Sequence, residues 1–329
     1  MASKQSTRIR RAVQRYAAGH AELSVVTDAC VALVTRMLDD AGINYLAVTG
    51  RTKSVESFAA KAARRLPGGR LAHPKPLTDI TDQIGVRVIT YVLSDVDAVA
   101  QLLSAQLEVR EDRDMGEETA KAGRFGYSSR HLLVALEEDA GAGVPADTQA
   151  SVQIRTVLQH AWAEFEHDIR YKGSISDEDA PDFDRRFTLA AGLLELADQQ
   201  FTTIRDHHRE DLTSPAETAD DDPRISPTDL AAFLAGQFTD AGWSRTDHYA
   251  WISSLLLELG ITSLSELREV LRDVDVESIE SRMGYRYPPG AVRRLDDALL
   301  SVYGQRFVEL HGNAHRIPLL EARLEKLTA

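Results

Sequence analysis

The sequence predicts a mixed β-sheet flanked by helices, an α/β (α+β) arrangement, followed by a separate all-helical C-terminal domain. Three observations lead there. Strand and helix periods mix up to Lys172, with connections of uneven length. From Thr228 onward every periodic segment is helical, divided by Gly and Pro. Between the two, residues 211–227 are acidic and carry Pro215 and Pro223, the composition of a linker, so domains of 1–210 and 228–329 are expected.

Thr7 to Ala41 reads as one or two amphipathic helices broken near Gly19, with Val25, Val26, Ala29, Leu33 and Leu38 as the apolar stripe. Ile43 to Val48 is a short strand, and Ser54 is placed to cap a helix that ends before Pro67-Gly68-Gly69. Gly85 to Tyr91 reads as a strand and Ser94 as the cap of a helix reaching about Ala105. Further strands follow around Leu107 to Arg110, His131 to Leu136 and Ala150 to Arg155. In the last of these, Gln149, Ser151, Gln153 and Arg155 alternate with Ala150, Val152 and Ile154, giving one polar and one apolar face.

The period changes after Thr156. Leu158, Trp162, Phe165 and Ile169 recur at helical spacing, while His160, Glu164, His167 and Tyr171 form a second stripe too polar for a core. A polar strand face that runs into a polar helix face is how a site is built. Helix resumes over Asp182 to His208. Beyond the linker, Thr228 to Phe238, His248 to Leu259, Ser263 to Val274, Val292 to Tyr303 and Pro318 to Leu327 are helical. Trp243, Trp251, Tyr285, Arg286 and Tyr287 are candidates there for the helical core or for an interface.

At 329 residues the chain is long enough for about two ordinary domains. A net charge of −13 excludes a general polyanion binder, so contacts with nucleotide or RNA must come from local basic patches. Two are present: Lys4, Arg8, Arg10, Arg11 and Arg15, then Arg51, Lys53, Lys61, Arg64, Arg65 and Arg70, broken by Glu56. The single cysteine, Cys30, cannot form an intramolecular disulfide, and no apolar run reaches the roughly 20 residues that span a bilayer. A cytoplasmic protein without membrane partners is expected.

Thr49-Gly50-Arg51-Thr52-Lys53-Ser54 reads as a loop entering a helix N-terminus, where free backbone N–H groups favour anions. With Arg51, Lys53 and Lys61 it makes either a phosphate cradle or a solvated basic face. Asp82-Gln83-Ile84-Gly85-Val86-Arg87 puts an acid just before a strand and an Arg inside it. These form either an internal pair, or a carboxylate that holds magnesium beside an Arg that binds a nucleotide. Gly126-Tyr127-Ser128-Ser129-Arg130-His131 brings an aromatic ring, two hydroxyls and a His to a strand start. The stripe of His160, Glu164 and His167 also has a spacing open to a transition metal, though without the metalloprotease pattern.

These pieces, in this order, resemble the synthetase domain of the RelA/SpoT family of (p)ppGpp alarmone synthetases, in their small form. The matching segments are Arg51-x-Lys53-Ser54-x-x-Ser57-x-x-x-Lys61, Asp82-x-x-Gly85-x-Arg87, Gly126-Tyr127-x-Ser129-x-His131 and Gln153-x-Arg155-Thr156. The last is followed by His160-Ala161-Trp162-Ala163-Glu164 and Glu166-His167-x-x-x-Tyr171-Lys172. The resemblance runs from Tyr45 to Lys172 and implies a nucleotidyltransferase-like fold. It implies transfer of pyrophosphate from ATP to the 3′-hydroxyl of GDP or GTP, releasing AMP, as in stringent-response signalling. Arg51 and Arg87 would then sandwich the adenine, Lys53 and Lys61 would hold the ATP phosphates, and Asp82 would bind Mg2+. Tyr127 would stack on the guanine, with His131, Gln153 and Arg155 placing the acceptor. A homo-oligomer is implied by resemblance to small members of the family. The stretch before Tyr45 is shorter than the separate hydrolase domain of bifunctional relatives, so a synthetase-only form is expected.

Two departures from the family pattern shape the alternatives. The family's Glu, two residues before the Gln, is Ser151 here, and serine is not an anion at neutral pH. The only other acid on that strand face by alternation is Asp147. The family's Lys, four residues before the Tyr, is Gly123, with Lys121 and Arg124 as substitutes. The alternatives are a toxin-type relative that pyrophosphorylates the 3′ end of tRNA, and a catalytically silent nucleotide-binding regulatory module.

Overall fold

The computed structural model describes residues 2–121, 129–136, 144–145, 148–172, 180–211, 223–242 and 244–328. They form two compact units, one of Met1–Arg36 with Tyr45–Phe201, the other of Met37–Asn44 with Thr202–Ala329. No described helix is long and apolar enough to cross a membrane.

The first unit opens with α1 (Ala2–Ala41), a single helix that runs through Gly19 without the expected break and whose residues after Arg36 belong to the second unit. Mid-helix glycine costs only about 1 kcal/mol against alanine, and Gly19 is flanked by the helix formers Ala17, Ala18, Ala21 and Glu22. Then come β1 (Tyr45–Thr52), α2 (Val55–Ala63), α3 (Pro76–Asp79), β2 (Ile84–Thr90), α4 (Leu93–Gln106) and β3 (Glu108–Asp114). The unit continues with α5 (Met115–Lys121), β4 (Arg130–Leu136), β5 (Thr148–Thr156), α6 (Val157–Lys172) and α7 (Ala180–Asp211), the last as far as Phe201.

The five strands form one sheet in the order β1-β2-β5-β4-β3. The β2–β5 pair is parallel and the other three are antiparallel, so the sheet is mixed as expected. The alternation read in β5 sorts its faces: Ala150, Val152 and Ile154 are fully buried, and Ser151 and Gln153 stand half-exposed on the other side. Burying Val152 and Ile154 contributes about 3–6 kcal/mol together. β2 repeats the pattern, with Val86 and Val88 buried and Gly85 and Arg87 on the open face. The apolar face is closed by α4, through Val96, Val99, Ala100, Leu102 and Leu103.

Several local expectations change. β1 extends through Thr52, so Gly50 and Arg51 are strand residues and only Lys53 and Ser54 separate it from α2. Ser54 caps α2 as predicted, accepting from the Ser57 N–H. Gly50 is required by close packing, since a Cβ there would meet Val31 Cγ2 at 2.7 Å and Thr27 Cγ2 at 2.9 Å. Ser94 does not cap α4; Val92 holds that position, without a side-chain hydrogen bond. α3 and α5, of four and seven residues, are too short for a periodicity to reveal them.

The second unit is helical: α8 (Pro227–Gln237), α9 (Thr246–Leu259), α10 (Leu264–Leu271), α11 (Val276–Met283), α12 (Ala291–Tyr303), α13 (Gln305–Val308) and α14 (Ile317–Thr328). The single helix predicted from Ser263 to Val274 is α10, which opens on a Ser263–Glu266 capping box, and α11 follows it unforeseen. Leu230, Leu234, Ile252, Leu255, Leu295, Leu299 and Phe307 fill its core. Within it lies a buried ionic network. Asp296 accepts from Arg316 at 2.6 Å and Arg323 at 2.8 Å, and Asp297 from Tyr285 at 2.5 Å and from Arg323. Burial pushes the Asp296 carboxyl up, but Arg316 and Arg323 overcome it and hold the group well below the usual carboxylate range. Tyr285 and Trp251 belong to this packing, Trp251 carrying Arg316 over its ring at 4.4 Å, whereas Trp243 lies outside the described residues.

Candidate functional site

On the open face of the sheet lies a cavity of about 1030 Å³. Strand register builds it. Arg51 stands beside Gly85 and Gly85 beside Ser151, while Arg87 stands beside Gln153 and Gln153 beside His131, so four strands deliver polar residues to two adjacent rows of one face. α6 adds Ala163, Glu164, Glu166 and His167 to the wall. The sequence-predicted residues Arg51, Asp82, Arg87, His131, Ser151, Gln153 and Arg155 therefore meet around one space.

Asp82 anchors one end. Its Oδ2 accepts from both Lys53 Nζ and Lys61 Nζ at 2.9 Å. Burial pushes its carboxyl up, and the two ammonium groups more than reverse that, so it is held below its ordinary range and stays ionised. Asp82 Oδ1 is buried without a hydrogen-bond partner. The expected alternative of an Asp82–Arg87 pair is not what forms, because Arg87 pairs instead with Glu164. Lys53 is itself buried, its carbonyl accepting from Tyr16 Oη at 2.6 Å with His20 Nε2 at 3.1 Å. α1 thereby fixes the end of β1.

At the centre, hydrogen-bond logic sets the protonation of His131. Arg155 can only donate, and its Nη2 bonds to Gln153 Oε1, so the amide nitrogen Nε2 faces His131 Nε2 at 2.9 Å. Ser129 Oγ lies at 2.8 Å from the same ring nitrogen. His131 Nε2 is therefore an acceptor and the proton sits on Nδ1. Burial first, then Arg155 and Arg113, lower its pKa to about 4, which agrees with a neutral ring.

The strand–helix junction is held by a reciprocal cap that the Thr156-x-x-Gln159 spacing could have revealed. The Thr156 N–H donates to Gln159 Oε1 at 2.9 Å, and the Gln159 N–H donates to Thr156 Oγ1 at 3.2 Å. Thr156 Oγ1 also donates to Asp198 Oδ2 at 2.8 Å. Asp198 was missed because nothing local marks it: it is one acid on a long helix, 42 residues from its partner. Burial raises its pKa to about 6, with the Thr156 bond only partly offsetting that.

The helical stripe read as open to a metal resolves into an ion-pair cluster. Glu164 Oε1 lies 3.0 Å from Arg87 Nη1, 4.0 Å from Arg155 Nη1 and 3.7 Å from His160 Nδ1. Burial, Arg87 and Arg155 lower the His160 pKa, so that ring is neutral. Lys121 is not brought to the cavity; it pairs with Glu117 at 2.8 Å on the exposed face of α5. Arg124 and Tyr127, with Gly123, Gly126 and Asp147, lie outside the described residues.

A model of the family described as "Region found in RelA / SpoT proteins" matches residues 50–176. Among curated proteins, the GTP pyrophosphokinase YjbM of Bacillus subtilis (strain 168) is 32% identical over 130 residues, 39% of this chain and 57% of that protein. The GTP pyrophosphokinase YwaC of the same organism is 32% identical over 124 residues, 37% of this chain and 56% of its own. The chain thus spans just over half the length of these relatives. Among solved structures, small alarmone synthetase 1 from Bacillus subtilis bound to its product pppGpp is 26% identical. That likeness covers 61% of this chain and 97% of that one, with a TM-score of 0.42. The strand order seen here, rather than that alignment, carries the fold class. Residues 50–176, the segment that matches the region found in RelA / SpoT proteins, hold every described residue lining the cavity but Thr49.

Proposed function

We propose that this protein is a (p)ppGpp synthetase that transfers pyrophosphate from ATP to the 3′-hydroxyl of GDP or GTP and releases AMP. The observation that carries the proposal is the convergence of Arg51, Arg87, Gln153, Arg155 and His131 with Asp82 on one cavity inside the segment that matches the RelA / SpoT model. The two curated relatives named as GTP pyrophosphokinases support it. In the reaction the 3′-oxygen bonds to the β-phosphorus of ATP, the bond from that phosphorus to the oxygen bridging it to the α-phosphorus breaks, and AMP leaves. Such transfers depend mainly on alignment and on neutralising charge.

Arg51 and Arg87, both lining the cavity, would hold the adenine. Lys53 and Lys61, two cations sharing one carboxylate, leave surplus positive charge for the phosphates. His131, neutral, with Gln153 and Arg155, would place the acceptor, and Arg124 and Tyr127 would complete the guanine site, with Lys121 held away from the cavity by Glu117. A magnesium ion fits Asp82, whose Oδ1 is buried and free of hydrogen bonds. When bound, it would neutralise phosphate charge. Ser151 faces the cavity and cannot accept the proton of the 3′-hydroxyl, which favours slow turnover and is the specific ground for the silent-module reading.

Purified protein given ATP and magnesium with GDP, GTP or tRNA tests this. AMP and a 3′-pyrophosphorylated guanine nucleotide are expected. Label on tRNA instead would establish the tRNA-modifying alternative. Absence of all products, with activity only in Ser151→Glu, would establish the silent module.

A further inference from the structure

Asp198 is an acid where the packing asks for an apolar residue. It continues the face of α7 formed by Phe187, Ala191 and Leu194, at steps of four, three and four residues, and that face packs on Trp162 of α6. Phe187 meets the Trp162 ring edge-on, with 6.5 Å between centroids. Asp198 is 1% exposed. Burying a carboxylate costs desolvation, whereas a leucine there would gain from burial, so packing alone does not account for the acid. What Asp198 supplies is an acceptor for Thr156 Oγ1, at 2.8 Å. Thr156 is the last residue of β5, directly after Arg155 and directly before α6. Its hydroxyl has one proton to donate, and donating it to Asp198 leaves a lone pair for the Gln159 N–H at 3.2 Å. The acid thus fixes the hydroxyl on which the cap of α6 depends.

We infer that Asp198 is a positioning residue: through Thr156 it sets Arg155 and the first turn of α6 relative to the cavity, although it does not itself line that cavity. Both sides of Thr156 bear on the site. Arg155 lines the cavity and bonds to Gln153, which bonds in turn to His131, while α6 carries Ala163, Glu164, Glu166 and His167 along the wall. Ala163 also packs against the cluster that α6 shares with α7. The effect on turnover rests on the proposed synthetase reading. The placement of Arg155 does not, because Arg155 is one of the groups that hold the His131 pKa down, and His131 reports it without any substrate.

The test compares the full wild-type chain with Asp198→Asn, Asp198→Leu and Thr156→Val, each checked for folding by urea unfolding. Asn and Leu both remove the charge, but only Asn keeps an oxygen that accepts from Thr156, so the difference between them isolates the hydrogen bond. In Asp198→Asn the NMR midpoint of His131 should stay near 4, and kcat/KM for GTP should stay within about threefold of wild type. In Asp198→Leu, though it unfolds no more readily, the midpoint should rise towards 6.5 and kcat/KM should fall about 10–100-fold, the loss that misplacing a site group brings. Thr156→Val removes the same bond from the other partner and should reproduce both changes. An unchanged midpoint in folded Asp198→Leu and Thr156→Val overturns the inference, as does an unchanged rate where the wild type is active, or equal loss in Asp198→Asn and Asp198→Leu. If the wild type makes no alarmone, the synthetase reading falls and the His131 midpoints alone decide this one: a rise in Asp198→Leu without one in Asp198→Asn upholds it, and no difference overturns it.

Discussion

The two units each hold a cluster of acids and arginines, and the clusters are built on opposite principles. In the helical unit Asp296 and Asp297 are almost wholly buried, and their oxygens are taken by Arg316, Arg323 and Tyr285 from neighbouring segments of that unit. In the segment that matches the RelA / SpoT model Asp82 keeps one oxygen without a partner, Glu164 is half-exposed over two arginines, and Arg51 faces solvent. Saturated, buried charge serves the fold. Charge left with spare valence around a cavity serves a ligand. Identical residue types thus acquire different roles through the completeness of their pairing.

The largest expected effect breaks the saturated side. Arg323→Ala strips partners from two buried carboxylates and should destabilise the helical unit by about 3–5 kcal/mol, read by urea unfolding. On the open side, Asp82→Asn should reduce synthesis roughly 10²–10³-fold while moving stability far less, read by AMP release beside a melting curve. If both variants shift stability alike, the contrast between the clusters fails.

Ser151→Glu sharpens the comparison from within the cavity. Adding the carboxylate at the place facing Gly85 should raise synthesis about tenfold or more, read as initial rate. An unaltered rate would mean that Ser151 does not limit turnover.

Acid should separate the clusters by pH window. Asp296, with its folded pKa depressed, contributes stability that is present above the ordinary carboxylate range and is lost as pH falls below about 4. His131, lowered to about 4, binds fewer protons folded than unfolded, so its contribution falls as pH drops from about 6.5 towards 4. Asp198, raised to about 6, has the opposite sign between about 4 and 6, so the histidine's slope should emerge in Asp198→Asn. NMR titration of His131 should give a midpoint near 4; a midpoint near 6.5 would contradict the neutral, accepting ring.

The sheet and the row of site residues were legible in the sequence because they follow periodicity: alternation along β2 and β5 put Arg87, Ser151, Gln153 and Arg155 on the open faces of neighbouring strands. Pairing was not legible, since it depends on register between distant segments. Of the two readings of Asp82 and Arg87, the internal pair is not the one that forms: Asp82 takes Lys53 and Lys61, while Arg87 crosses to Glu164. Asp198 gave no local signal, and the arginine–aspartate network of the helical unit joins residues from α11 through α14 that no single window contains. Short α3 and α5 lack the turns a period needs.

The central claim is tested most directly with ATP labelled in its β-phosphate, incubated with the protein, magnesium and GTP. The account predicts that the β-label leaves with the γ-phosphate, appearing in the guanine nucleotide while unlabelled AMP accumulates. Label retained in ADP, or no transfer to a guanine nucleotide by either wild type or Ser151→Glu, would contradict it.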